Sequence, residues 1–123
     1  MRNVKAEVYK ALEDANITEH LGDGYPKKAV QDETIVMYAE EQNSVYERVG
    51  NKESKTLLEY RIDIWDPEST SEAACKVDDA IAALGLVRTM CQDANGDPSG
   101  WKHKVMRYKG ILDLDNDLIY WNI

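Results

Sequence analysis

Hydrophobic positions recur at intervals of four and three near the start of the chain: Val4, Val8, Leu12 and Ala15, with Ala11 widening the stripe. That spacing predicts a helix over Asn3 to Ala15 with one apolar face, and Lys5, Glu7, Lys10, Glu13 and Asp14 fall elsewhere. Burying Val4, Val8 and Leu12 contributes roughly 1.5–3 kcal/mol each before chain entropy is subtracted. The helix must stop before Leu21-Gly22-Asp23-Gly24-Tyr25-Pro26, where two glycines and a proline mark an irregular connection. Proline then steers Tyr25 into extended backbone.

The period next changes from helical to strand-like. Thr34-Ile35-Val36-Met37-Tyr38-Ala39 is a short apolar run rich in β-branched residues and predicts a strand. Glu40 to Lys55 turns polar and reads as a long loop, in which Val45, Tyr46 and Val49 could form a brief strand extension; loops of that length in small domains are usually functional or mobile. Leu58, Tyr60, Ile62 and Ile64 alternate with Glu59, Arg61 and Asp63, the clearest strand pattern in the chain, and Trp65 closes it on the polar side. Asp66-Pro67 ends that strand. Ser69 and Glu72 then have the spacing of a capping box for a helix whose apolar face is Ala73, Ala74, Val77, Ala80, Ile81 and Leu84. Gly85 follows where a left-handed residue ends a helix. Leu86–Cys91 and Trp101–Leu112 predict two more strands, with Met106 and Tyr108 on one face of the second and Val105, Arg107 and Lys109 on the other. Asp115-Asn116 turns the chain into a last strand over Leu118–Trp121.

Runs of adjacent strands interrupted by one helix predict an α+β fold. The expectation is a mixed, largely antiparallel sheet of about four to five strands with two helices packed on one face. The 123 residues fit one domain, 1–123, able to bury a core without metal or disulfide. The formal net charge of −8 argues against a general grip on nucleic acid, whose affinity comes from clustered Lys and Arg. No apolar run approaches the roughly 20 residues of a membrane span, and Met1 to Glu7 lacks a signal peptide's apolar stretch. A soluble protein made inside the cell is expected. Cys75 and Cys91 allow one disulfide, are too few for a zinc site, and sit where buried or half-buried thiols are ordinary.

Candidate chemistry is sparse. A Cys91–His103 pair can be drawn, but no third group orients the base. Asp93, Asn95, Asp97 and Ser99 alternate as an EF-hand loop begins, yet Pro98 replaces the turn glycine and Lys104 stands where the bidentate glutamate belongs. Asp113, Asp115 and Asp117 alternate similarly and read better as turn chemistry. Gly22-Asp23-Gly24 lacks the following lysine of a phosphate loop. No catalytic, cofactor or metal residue is therefore assigned. Trp65, Trp101 and Trp121 lie near predicted strand ends, where they serve as core plugs or as interface anchors.

One ordered set of segments carries a resemblance. It comprises Tyr60-Arg61-Ile62-Asp63-Ile64-Trp65-Asp66, the helix through Val77-Asp78-Asp79-Ala80-Ile81-Ala82-Ala83-Leu84-Gly85-Leu86 with Val87-Arg88-Thr89, and His103-Lys104-Val105-Met106-Arg107-Tyr108-Lys109-Gly110. The set resembles the small tail-completion or tail-terminator proteins of long-tailed (siphovirus-type) bacteriophages and prophages, over about Thr34 to Ile123. The resemblance implies a structural virion protein, made in the bacterial host cytoplasm, that is not an enzyme and needs no cofactor. It would form a ring, typically hexameric, at the head-proximal end of the tail, stopping tube growth and offering a surface for head completion. Its expected partners are further copies of itself, the tail tube protein and a head completion or connector protein, with neither sequence-specific nucleic acid nor membrane binding. A head–tail joining protein is the neighbouring alternative, and a small monomeric host-cell binding or inhibitory domain a further one. Ring closure needs two unlike patches on each subunit. The interface candidates are Tyr46, Arg48 and Val49 in the long polar segment and Trp65 and Trp101 at strand ends, with the Asp93–Gly100 loop as a further patch.

Overall fold

Helix α1 (Val4–Asp14) forms where the first apolar stripe predicts it, with Val4, Val8 and Leu12 all buried. Asn3 caps it, its side-chain oxygen accepting from the Ala6 N–H at 3.3 Å. Asn3→Ala should cost about 0.5–1 kcal/mol, read as a small fall in the urea midpoint at unchanged slope. The computed structural model describes residues 1–24, 33–94 and 100–121, so the Tyr25-Pro26 step, Asn95 to Ser99 and Ile123 lie outside the described residues.

After α1 come strands β1 (His20–Asp23), β2 (Ile35–Val49) and β3 (Lys52–Asp66), then helix α2 (Ser71–Ala82) and strands β4 (Val87–Asp93), β5 (Lys102–Asp113) and β6 (Leu118–Tyr120). They make one six-stranded sheet in the order β1-β2-β3-β5-β4, with β6 also paired to β5. β1 runs parallel to β2; the other pairings are antiparallel. The fold is therefore α+β with a mixed sheet, and six strands replace the expected four to five. The strand the sequence conceals is β1. It is four residues long, contains Gly22, and pairs through its backbone with Ile35–Tyr38, so it shows no alternation to read.

The larger departure is the polar segment Glu40 to Lys55, which is a β-hairpin rather than a loop. β2 continues to Val49 and β3 begins at Lys52, and Val49 faces Lys52 across the two-residue turn Gly50-Asn51. Gly50 has φ +63 while Asn51 lies outside the left-handed region, the order of a type II′ turn. Strands that run past a core have no apolar face to bury, so their pattern turns polar although the backbone pairing persists.

One cluster of buried side chains joins Val4, Val8 and Leu12 of α1, Ala73, Ala74, Val77 and Ile81 of α2, and the even-numbered positions Leu58 to Ile64 and Met106 to Tyr108 of the sheet. Two tyrosines bring their hydroxyls into this core with partners. Tyr60 donates to Glu40 and Tyr108 to Asp78, at 2.7 and 2.8 Å. Burial and those carboxylates hold both phenols strongly protonated.

The start of α2 corrects the capping-box expectation. Its N-cap is Thr70, without a side-chain cap bond. Asp66 organises the entry instead, one oxygen accepting from the N–H groups of Glu68 and Ser69 at 2.8 and 3.0 Å, the other from the Thr34 hydroxyl at 2.5 Å. Partial burial opposes the charge, yet these three donors prevail and hold the carboxyl below its usual range. A depressed value means stabilisation present at neutral pH and lost as pH falls through the folded-state value. Asp66→Ala should therefore cost about 1 kcal/mol near pH 7. Its deficit against wild type should narrow below pH 3.8 in acid-unfolding curves.

Candidate functional surface

The hairpin carries the clearest exposed apolar feature. Val45, Tyr46 and Val49 are 43%, 56% and 64% exposed, and Arg48 beside them is exposed as well. Tyr46 is aimed outward by a β-bulge: Val45 pairs with Thr56 and Glu47 with Lys55, leaving Tyr46 as the extra residue. A single scattered apolar residue on a surface requires no explanation. Three within five residues make the hairpin end an exposed apolar patch.

The two tryptophans among the interface candidates stand at the other end of the sheet. Trp65 precedes the last residue of β3, Trp101 immediately precedes β5, and both are half-buried. Trp65 lies over the His103 ring, centroids 4.3 Å apart and planes 13° from parallel, in register across the strands. From Thr56, level with the hairpin bulge, to Trp65 is nine residues of strand, or about 30 Å. The structure thus does not gather the five candidates into one site. It places Tyr46, Arg48 and Val49 at one end of the molecule and Trp65 and Trp101 at the other.

Between the ends, the sheet face turned away from the core bears a charged network. Arg61 Nε donates to buried Asp63 at 2.8 Å, and Arg107 of β5 reaches Glu41 of β2 at 2.8 Å. His103 Nε2 is closed off from solvent and lies 3.7 Å from Asp63, beyond hydrogen-bond reach. An imidazole beside a carboxylate can begin a general-base pair. Here the ring is stacked and shielded, and Asp63 is held by Arg61. The Cys91–His103 pairing is ruled out by geometry. Cys91 lies opposite Met106, three residues from His103 on the same strand, so the two side chains project from opposite faces.

The cysteines overturn the expectation of buried thiols. Both are free and exposed. The acidic runs are turn chemistry where they are described. Asp113 accepts from the N–H groups of Asp115 and Asn116 and from the Asn116 amide, which hold its carboxyl below the usual range. Asp117 pairs with Arg2, and Asp93 pairs with Lys104 at 3.0 Å. Among the described residues, no group of three His, Cys, Asp or Glu side chains is placed to hold a metal. No described helix is long and apolar enough to cross a membrane. A furrow of about 700 Å³ between α1 and α2 is lined by Ala11, Ala15, Ala80, Ala83 and Leu84 with charged residues at its rim.

Sequence reasoning found the exposed residues of the hairpin but missed why they are exposed. The signal was present in Gly50-Asn51, a turn pair between two β-capable runs. No protein-family model matches the chain, and no curated protein matches it either.

Proposed function

We propose that this chain is a structural protein that self-associates into a closed ring, in the manner of the phage and prophage tail terminators its motif order resembles. Its task would be to cap the head-proximal end of a tail tube. The observation that carries the reading is the separation of two unlike surfaces. A projecting hairpin with exposed Val45, Tyr46 and Val49 lies at one end, and an aromatic end with Trp65 and Trp101 lies roughly 30 Å away. Heterologous contacts, in which one patch meets a different patch on the next copy, generate rings when the rotation closes. A single self-complementary patch would favour a two-fold dimer instead.

The remaining features agree with this reading. Both helices belong to the one core cluster, which supports their packing on one face and leaves the charged face and the hairpin for contacts. The net charge of −8 suits a channel wall that lets a duplex pass without gripping it. Electron microscopy of the purified protein tests the proposal. Closed rings with a central channel and a fixed number of subunits are expected. Open filaments, two-fold dimers or isolated monomers at every concentration would overturn it.

A further inference from the structure

We propose that Cys75 and Cys91 form a dithiol site that closes to a reversible intramolecular disulfide when it meets a low-molecular-weight disulfide such as oxidised glutathione. The inference is independent of self-assembly and rests on how α2 lies along β4. Arg88 of β4 pairs with Asp78 of α2 at 3.7 Å, which aligns these two positions. The chain reverses between the two elements at Gly85, so moving back along the helix corresponds to moving forward along the strand. Three residues back from Asp78 is Cys75; three residues forward from Arg88 is Cys91.

In a regular strand, residues three apart face opposite sides, and Cys91 would point away from the helix. A bulge changes this. Arg88 pairs with Tyr108 and Met90 with Arg107, so Thr89 is the extra residue, and Arg88 and Cys91 both take the face of Tyr108 and Met106. The axial advance is then about 4.5 Å on the helix and about 6.6 Å for two paired steps on the strand, so the two cysteine positions fall at a similar level along the backbone. Cys75, Asp78, Arg88 and Cys91 accordingly line one groove of about 340 Å³, and both thiols are exposed. The Tyr108 hydroxyl, in register with Arg88, donates to the same Asp78 at 2.8 Å.

The chemistry balances without a metal. One cysteine, as thiolate, attacks a sulfur of the glutathione disulfide, forming a mixed disulfide and releasing one glutathione thiolate. The second cysteine's thiolate attacks the protein sulfur of that mixed disulfide, forming the Cys75–Cys91 bond and releasing the second glutathione. Two protein thiols are oxidised, one glutathione disulfide is reduced to two glutathiones, and the two protons lost by the protein go to those thiolates.

The test is intact mass and peptide mapping of the reduced protein after incubation with oxidised glutathione under non-reducing conditions. Wild type should lose the mass of two hydrogen atoms, become refractory to thiol alkylation, and yield a cross-linked peptide pair containing Cys75 and Cys91. Cys75→Ser and Cys91→Ser, both at exposed positions, should each stop at the mixed disulfide and carry one glutathione. Wild type that accumulates stable glutathione adducts, cross-links between chains, or keeps both thiols would overturn the proposal.

Discussion

Gly85→Ala is expected to lower stability by roughly 3–5 kcal/mol, a fall in Tm on the order of 10–20 °C. Two costs combine at this position. Gly85 has φ +97, a backbone conformation that strains any L side chain. A Cβ there would also lie 2.3 Å from the Ile119 carbonyl oxygen and 3.0 Å from its carbon. Those are backbone atoms of β6, so relief requires moving the strand rather than rotating a side chain. The neighbouring corner is close as well, although a Cβ on Gly110 would meet side-chain methyls, those of Leu86 and Ile119, at 2.8 and 2.9 Å. Gly50→Ala separates the two costs. Gly50 has φ +63 but open space around its Cβ position, so that variant should lose only about 1 kcal/mol. Equal losses for the two variants, measured by thermal and urea unfolding, would mean that β6 does not close over the turn between α2 and β4.

The double substitution Tyr46→Glu with Val49→Glu is expected to weaken self-association by at least about 100-fold while leaving the fold intact. Both side chains are more than half exposed and touch none of the buried cluster, so the single chain has little to lose. An assembled interface would lose a great deal. Aromatic side chains buried at contact centres commonly carry 2 kcal/mol or more each, and two unpaired carboxylates would have to be desolvated. The control is far-ultraviolet circular dichroism with the urea midpoint, which should match wild type. Arg48→Glu, beside them, should have a smaller effect that weakens with salt, as a rim charge does. Unchanged association in the double variant would remove the hairpin from the proposed ring.

Much of the fold was legible where the sequence had to satisfy a core. Val4, Val8 and Leu12 announced α1, and Leu58 to Ile64 announced the central part of β3, because each of those side chains is buried by its periodicity. The short first strand and the long hairpin were missed for one shared physical reason. β1 and the outer half of the hairpin are defined by backbone pairing and bury no apolar side chain fully, so they leave little periodic pattern to read. The capping box failed for a different reason. Ser69 and Glu72 have the right spacing, but Asp66 holds the N–H groups of Glu68 and Ser69 in the turn before the helix, α2 starts one residue later with Thr70 as its cap, and the Ser69 hydroxyl accepts from the Ser71 N–H instead. The candidate interface residues were legible as types, since Tyr46 and Val49 are poor choices for a polar segment. Their distribution to opposite ends of the molecule required the length of β3 and the register of its partners. The alignment of Cys75 with Cys91 depended on a bulge at Thr89, which one-dimensional spacing does not reveal.

Mass by light scattering on a size-exclusion column, taken across protein concentration for wild type and the Tyr46/Val49 variant together, tests the ring account most directly. The account predicts a wild-type species of fixed mass near that of a hexamer and a variant that elutes as a single chain. A wild-type protein that stays monomeric at every concentration, or a variant that assembles as wild type does, would contradict it.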